Sequence, residues 1–353
     1  MKTRNIAFVS VLILLGGALS LMAGEEAEIL LSDLTSLQLD LCGADHYYWI
    51  TPEMGRVVIN RQCVSSDGDF DHDVLNVWDE QGHQVFECAP FLDIPDTHIS
   101  HGHVFSTALR SPDRLAVSTI VGTKDFTFAL AEYDVDKGEL LRVLPTSPIS
   151  CWDLRGDGDG TIWCLGVDLS KRKDDQDFDL VYRFDESGRQ LGSALPRSAF
   201  PETPDPLSVW KRQSGLGGFL PGNGEVRLWL PAVEELISFD SDGKVRDRLI
   251  LPTVEGLERA RLVTAPGYEI FALLTVATDH EDRETWTQGL FRLTLDGASW
   301  TPLEEPLIHL PLRFTLVGAD SSGLILLDRR STTLVWYPVT TEVATDNSTI
   351  APP

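Results

Sequence analysis

Basic residues are scarce in this chain. Lysine and arginine total 29 against 54 aspartates and glutamates, a formal charge of −25 over 353 residues. A surface this acidic repels phosphate backbones and anionic bilayers, which excludes nucleic acid as a partner. Long apolar runs are also few, and beyond residue 23 no segment has bilayer-spanning length. Several catalytic frames are missing. There is no G-x-S-x-G turn for a serine nucleophile, no glycine-rich phosphate cradle, no H-E-x-x-H pair and no close cysteine pair for zinc. No long helical periodicity runs anywhere in the mature chain.

The one long apolar run lies at the N-terminus. Lys2 and Arg4 precede "IAFVSVLILL", and Gly16, Gly17 and Ala18 lead into "LSLMAGEE". A basic start, an apolar stretch and small residues make a secretory signal over residues 1–24. The alternative is an uncleaved anchor over residues 6–23. Either way the chain is expected to be exported, to a periplasm or the extracellular space, with no other membrane insertion.

What the rest of the chain holds is a repeat. The segments "NVWDEQGHQVFE", "AEYDVDKGELLRVLP", "YRFDESGRQLGSALP", "ISFDSDGKVRDRLILP" and "FRLTLDGASWTPLEE" each read as strand, tight turn and strand, with "LVWYPVTTEV" a weaker sixth. Their turn aspartates Asp79, Asp134, Asp185, Asp240 and Asp296 recur every 51–56 positions. Upstream of each lies another β-run: "GRVVIN", "DRLAVST", "DGTIWCLG", "GEVRLWL", "GYEIFALL" and "SGLILLD". Four strands in each of six units predict an all-β fold, a six-bladed β-propeller with four antiparallel strands per blade, over residues 25–343. The last blade is closed by an outer strand from residues 27–41, by the C-terminal strand, or by both, and residues 344–353 are expected to form a disordered tail. Trp49, Trp152, Trp163, Trp210 and Trp229 read as packing between blades.

Units such as "DGTIWCLG…LVYRFDESGRQLGSALP" resemble the repeats of NHL-like six-bladed propellers. The resemblance covers nearly the whole mature chain and implies a fold, since unrelated functions share it.

An exported chain is expected to form disulfides. In "SCWDLRGDGDGTIWCL" a turn centred near Asp157 and Gly158 sets Cys151 opposite Cys164. In "LCGADHYYWITPEMGRVVINRQC" a turn near Pro52 and Glu53 sets Cys42 opposite Cys63. Cys88 is left over, a buried residue or a free thiol.

Aligning the blades places "HVFSTALRS", "ISCWDLRGD", "LSVWKRQSG", "ARLVTAPG" and "LRFTLVGAD" on the innermost strands around the central channel. His98, His101 and His103 of "THISHGHVF" then fall in the connection leading into blade 2. The loops between second and third strands share that face and are acidic: "SSDGDFDHD", "SKRKDDQDFD" and "DHEDRETW". His101 and His103 alternate by two, as two metal-ligating imidazoles on one strand face would, and with a loop carboxylate they would make a set for Zn²⁺ or another transition metal. The alternative, which the out-of-step His98 favours, is capping and hydrogen bonding at the strand entrance. Asp67, Asp69, Asp71 and Asp73 alternate as in a calcium loop. His72 stands where an EF-hand needs Gly and Trp78 where it needs Glu, so any Ca²⁺ site there is a looser one. "GDGDG" at 156–160 is turn chemistry on the opposite face. Arg261 and Arg313 open the inner strands of blades 5 and 6, where they either attract an anionic group or pair with carboxylates.

Two functions follow. The first is a binding module that engages a protein or cell-envelope ligand through its acidic, histidine-bearing face. The second is a Ca²⁺- or Zn²⁺-dependent hydrolase of the lactonase type, the class that the fold resemblance implies. Such enzymes place Glu, Asp and Asn on inner strands. The asparagines beyond the signal, Asn60, Asn76, Asn223 and Asn347, do not fall at those strands' starts, which favours binding.

Overall fold

Strands such as "IWCLGVD" are apolar on both faces, so a sheet built from them must be covered on both sides. The computed structural model satisfies this with six four-stranded antiparallel sheets arranged as a six-bladed propeller. It describes residues 36–339 apart from 39–47, 65–69, 80–82, 95–103, 123–126, 158, 174–175, 202–210, 213–214, 223–224, 266, 280–281, 283–284, 295–298, 304–308, 321–322 and 332. The signal or anchor segment and the tail lie outside these residues. Among the described residues no helix is long and apolar enough to cross a membrane.

After β1 (Ser36–Gln38), blade 1 comprises β2 (Tyr48–Glu53), β3 (Arg56–Val64), β4 (Phe70–Trp78) and β5 (Gln84–Cys88), followed by the single turn α1 (Pro90–Asp93). Blade 2 holds β6 (Val104–Ser111), β7 (Arg114–Val121), β8 (Thr127–Asp134) and β9 (Glu139–Pro145). Blade 3 holds β10 (Ile149–Gly156), β11 (Ile162–Asp168), the short helix α2 (Leu169–Lys173), β12 (Asp179–Phe184) and β13 (Gln190–Pro196). A small hairpin, β14 (Lys211–Arg212) and β15 (Gly215–Leu216), precedes blade 4: β16 (Gly218–Pro221), β17 (Val226–Leu230), β18 (Glu235–Phe239) and β19 (Val245–Ile250). Blade 5 holds β20 (Leu257–Thr264), β21 (Ile270–Ala277), β22 (Trp286–Thr294) and β23 (Ser299–Pro302). Blade 6 holds β24 (Phe314–Asp320), β25 (Gly323–Asp328) and β26 (Thr333–Tyr337).

Side-chain alternation explains the ring. Along β3, Val57 and Ile59 join Ile325, Leu327 and Leu334 between blades 6 and 1, while Val58 joins Leu75 and Leu115 between blades 1 and 2. Along β11, Ile162 and Cys164 face blade 2, whereas Trp163 and Leu165 meet Phe219 and Phe239 of blade 4. Leu262 and Ala272 pack on Trp229 between blades 4 and 5, and Phe271 and Leu273 on Leu316 and Leu326 between blades 5 and 6. Each gap between neighbouring blades thus holds its own apolar cluster. Every fully buried Leu, Ile or Val contributes roughly 1.5–3 kcal/mol.

Blade 6 takes its outer strand from the other end of the chain. β1 pairs antiparallel with β26, Leu37 opposite Leu334. Of the closures that the sequence left open, the N-terminal one is therefore observed. The described strand of "LVWYPVTTEV" ends at Tyr337, residues 340–343 lie outside the described residues, and the fourth place of the blade is filled by β1.

The turns follow local chemistry. Met54 (φ 51°) and Gly55 (φ 71°) form the two-residue hairpin between β2 and β3, a geometry needing positive φ at both positions. The turn lies beyond Pro52 and Glu53, which are themselves paired, Glu53 with Arg56. The described register of β2 with β3 ends at Tyr48 opposite Arg61; Cys42 and the side chain of Cys63, and with them the expected Cys42–Cys63 pairing, lie outside the described residues. Asp185 accepts from the Ser187 and Arg189 backbone N–H groups, and Asp240 from that of Lys244. These are the turn roles expected from the repeat; Asp296 lies outside the described residues.

Cys151 and Cys164 form a disulfide, with Cα atoms 5.4 Å apart. They are not directly opposed. Cys151 faces Gly166 and Leu154 faces Cys164, because a β-bulge at Trp152 adds a residue to β10. The bond is diagonal. Cys88 is a buried free thiol. Blade 4 also departs from expectation: its inner strand is β16, not "LSVWKRQSG", whose Lys211–Arg212 belongs to the added hairpin.

Two predictions follow from this packing. A Cβ on Gly156 would collide with the Leu109 carbonyl oxygen of blade 2, whereas at Gly192 it would meet open space. Gly156→Ala is expected to lower stability by about 1–3 kcal/mol, and Gly192→Ala to leave it within about 0.5 kcal/mol, by urea denaturation. Deleting residues up to Gln38 exposes the edge of β26 and is expected to lower Tm by at least about 5 °C by calorimetry.

Candidate functional site

The two faces of the disc are built differently. On one, first strands turn into second strands and third into fourth through short turns, such as Met54–Gly55, 157–161 and 240–244. The other carries the connections between second and third strands and those leading into each new blade. These include 65–69, the α2 segment at 169–178, 278–285 and the hairpin-bearing stretch at 197–217. The three acidic stretches join second to third strands in blades 1, 3 and 5, and residues 65–69, 174–175, 280–281 and 283–284 within them lie outside the described residues. "SSDGDFDHD" is shorter than expected as a loop, since β4 begins at Phe70 and takes in Asp71 and Asp73.

His98, His101, His103, Asp67 and Asp69 lie outside the described residues. Among the described residues no three His, Cys, Asp or Glu side chains converge as a metal-binding group. Asn60 and Asn76 sit on second and third strands of blade 1, and Asn76 donates to Glu87 at 2.7 Å.

Asp73 is fully buried. Its Oδ2 accepts from the backbone N–H of Val104, the first residue of β6, at 2.6 Å. Burial pushes its carboxyl up to about 7, with the Val104 hydrogen bond pulling the other way. Blade 5 has a counterpart: Gln288, on the third strand, donates to the carbonyls of Pro311 (2.6 Å) and Phe314 (3.0 Å) at the start of β24. Both side chains tie the start of the next blade's inner strand to the blade before it.

Asp153 spans three blades. Carried on β10, it accepts from the Phe219 backbone N–H of blade 4 at 2.8 Å and from Ser106 Oγ of blade 2 at 3.3 Å. Ser106 in turn accepts from the Leu154 N–H at 3.0 Å. Burial pushes the Asp153 carboxyl up to about 6 despite these hydrogen bonds. Bulges at Phe105 and Trp152, each one position before Ser106 and Asp153, set this geometry. The Phe105 and Trp152 rings stack with centroids 6.4 Å apart and are half-buried. Sequence reading missed Asp153 and Gln288; the available signal was a polar residue inside an otherwise apolar strand.

The basic residues divide. Arg313 pairs with Asp328 at 3.2 Å and lies over the Phe314 ring. Arg259 lies over Trp286. Arg261 sits in the middle of β20 opposite Leu273, not at the strand's start as expected. Among the described residues it has no carboxylate or carbonyl partner, and the charge nearest in effect is Arg329. Burial first, and Arg329 second, lower its guanidinium to about 10, so it stays protonated at neutral pH. On the opposite face Arg110 is buried, donating to Gly160 O at 2.6 Å and Asp185 O at 3.4 Å, which pins two turns of blade 3.

No protein-family model matches the chain, and no curated protein matches it. Solved structures are similar at low identity. A member of the DUF4221 family from Bacteroides vulgatus ATCC 8482 is 11% identical over 85% of this chain and 95% of its own, with a TM-score of 0.48. A Bacteroides fragilis NCTC 9343 protein named as an exported protein is 10% identical, covers 83% of each chain and has a TM-score of 0.49.

Asp153 generates a pH prediction. Its folded value lies above the ordinary 3.8, so between about pH 4 and 6 the native state holds a proton that the unfolded state has lost. Its contribution to stability therefore falls as pH rises through that window. Asp153→Asn is expected to gain about 2–3 kcal/mol on the wild type between pH 4 and 7, read from urea midpoints at each pH. Asp153→Ala removes the hydrogen-bond acceptors and is expected to cost about 1–3 kcal/mol at pH 4.

Proposed function

We propose that this chain is an exported binding module that engages a protein or cell-envelope ligand through the face bearing its second-to-third-strand loops. The asymmetry of the disc carries this reading. One face is closed by short turns whose aspartates are used up in backbone hydrogen bonds. The other gathers the long connections, half-buried aromatic rings and the charged residues of the inner strands on a rigid ring. Export is supported by the basic–apolar–small N-terminus and by the Cys151–Cys164 disulfide, a bond that persists in oxidising compartments. The NHL-like repeat pattern is consistent with a propeller used as a platform.

The test uses the purified chain immobilised for binding from envelope extract, with two variants. One replaces the α2 segment 169–178 by a short Gly/Ser loop; the other replaces the turn 240–244. Specific capture that is lost by at least about tenfold in the first and retained in the second supports the reading. Equal capture by both overturns it. Fusion to a phosphatase reporter active only after export is expected to give activity, and an inactive, intact fusion overturns export.

A further inference from the structure

Arg261 has no counterpart among the partly or fully buried arginines of the described residues. Arg110 donates to two carbonyls, Arg227 pairs with Glu225 at 2.7 Å, Arg313 pairs with Asp328, and Arg183 lies over Trp163. The chain supplies 54 acidic residues to 29 basic ones, so partners are abundant. Yet Arg261, only partly exposed, has neither an ion pair nor a hydrogen bond among the described residues. A guanidinium carries five N–H donors, and leaving them unmet in a partly desolvated place costs stability unless something external meets them.

Its setting is also basic. Arg261, Leu273 and Leu290 are aligned across β20, β21 and β22, and the last two belong to the cluster shared with blade 6, so this sheet face looks toward blade 6. From blade 6 comes Arg329, at the end of β25, its backbone N–H bonded to Arg313 O at 3.1 Å. In a molecule of charge −25, Arg261 of blade 5 and Arg329 of blade 6 bring two positive charges together at one side of the channel.

We infer that Arg261 is the centre of an anion subsite in the channel, one that takes a compact oxyanion group, carboxylate or phosphate, of a ligand entering from the long-loop face. This rests on the reading of that face as the binding face. The planar fork of Arg261 meets two oxygens of such a group side by side, and Arg329 adds charge without competing for the geometry. A carboxylate of the protein's own at this point would close the subsite, and the described residues place none there.

The test is a thermal-shift and calorimetric titration of the full chain with inorganic phosphate and, separately, acetate, against potassium chloride at equal ionic strength. Arg261→Gln, Arg261→Lys, Arg329→Gln and, as a control on the outer strand β19, Arg246→Gln are titrated alike. The expected result is a saturable rise in Tm with one or both oxyanions in the wild type and in Arg246→Gln. Affinity falls at least about tenfold in Arg261→Gln and less in Arg261→Lys and Arg329→Gln. Without anion, Arg261→Gln is expected to melt no lower than wild type, since the arginine has no partner to lose. An equal response in all variants, or to chloride alone, shows only screening of the acidic surface and overturns the subsite. So does the absence of any saturable response, or a collapse of the fold in both Arg261 variants. If Arg261→Gln loses oxyanion binding but captures the envelope ligand as before, the subsite stands and its link to that ligand fails. If oxyanions never bind while loop-dependent capture persists, the binding reading stands without the subsite.

Discussion

A four-stranded sheet with two apolar faces cannot stand alone in water, and this one constraint organises the molecule. Each blade covers one face of its neighbour on either side, so no blade is satisfied until the sixth meets the first. The pairing of β1 with β26 is what completes that circle. It brings the two ends of the propeller's chain into one sheet and protects the edge of β26, whose Leu334 is buried in the cluster between blades 6 and 1.

Apolar packing alone would let neighbouring blades slide, because dispersion contacts carry little direction. Direction comes from a few buried polar side chains that cross from one blade to the next. Asp73 fixes Val104, Gln288 fixes Phe314, and Asp153 reaches both Ser106 and Phe219. The carboxylates in this set sit in places that oppose their charge, which is why both titrate well above the ordinary range. The same links hold the inner strands in place around the channel, so the rigidity of the ring and the geometry of the channel have a common origin. Against that background Arg261 stands out, a charge that no carboxylate among the described residues answers.

The sequence by itself determined what depends on neighbours in the chain. Turn aspartates at a spacing of 51–56 residues, and β-runs that alternate or stay apolar throughout, specify the number of blades and the strands in each. The Cys151–Cys164 bond was also within reach, since both residues belong to one hairpin. Tertiary structure decided whatever depends on residues far apart in the chain. The bulge at Trp152 made that disulfide diagonal, and the hairpin β14–β15 displaced the inner strand of blade 4 to Gly218–Pro221. It put Arg261 in mid-strand without a carboxylate partner among the described residues, while giving Arg313 its Asp328. The physical reason is that turn chemistry and side-chain period are set within a few residues, whereas register between blades and the pairing of buried charges are settled only when separate segments pack.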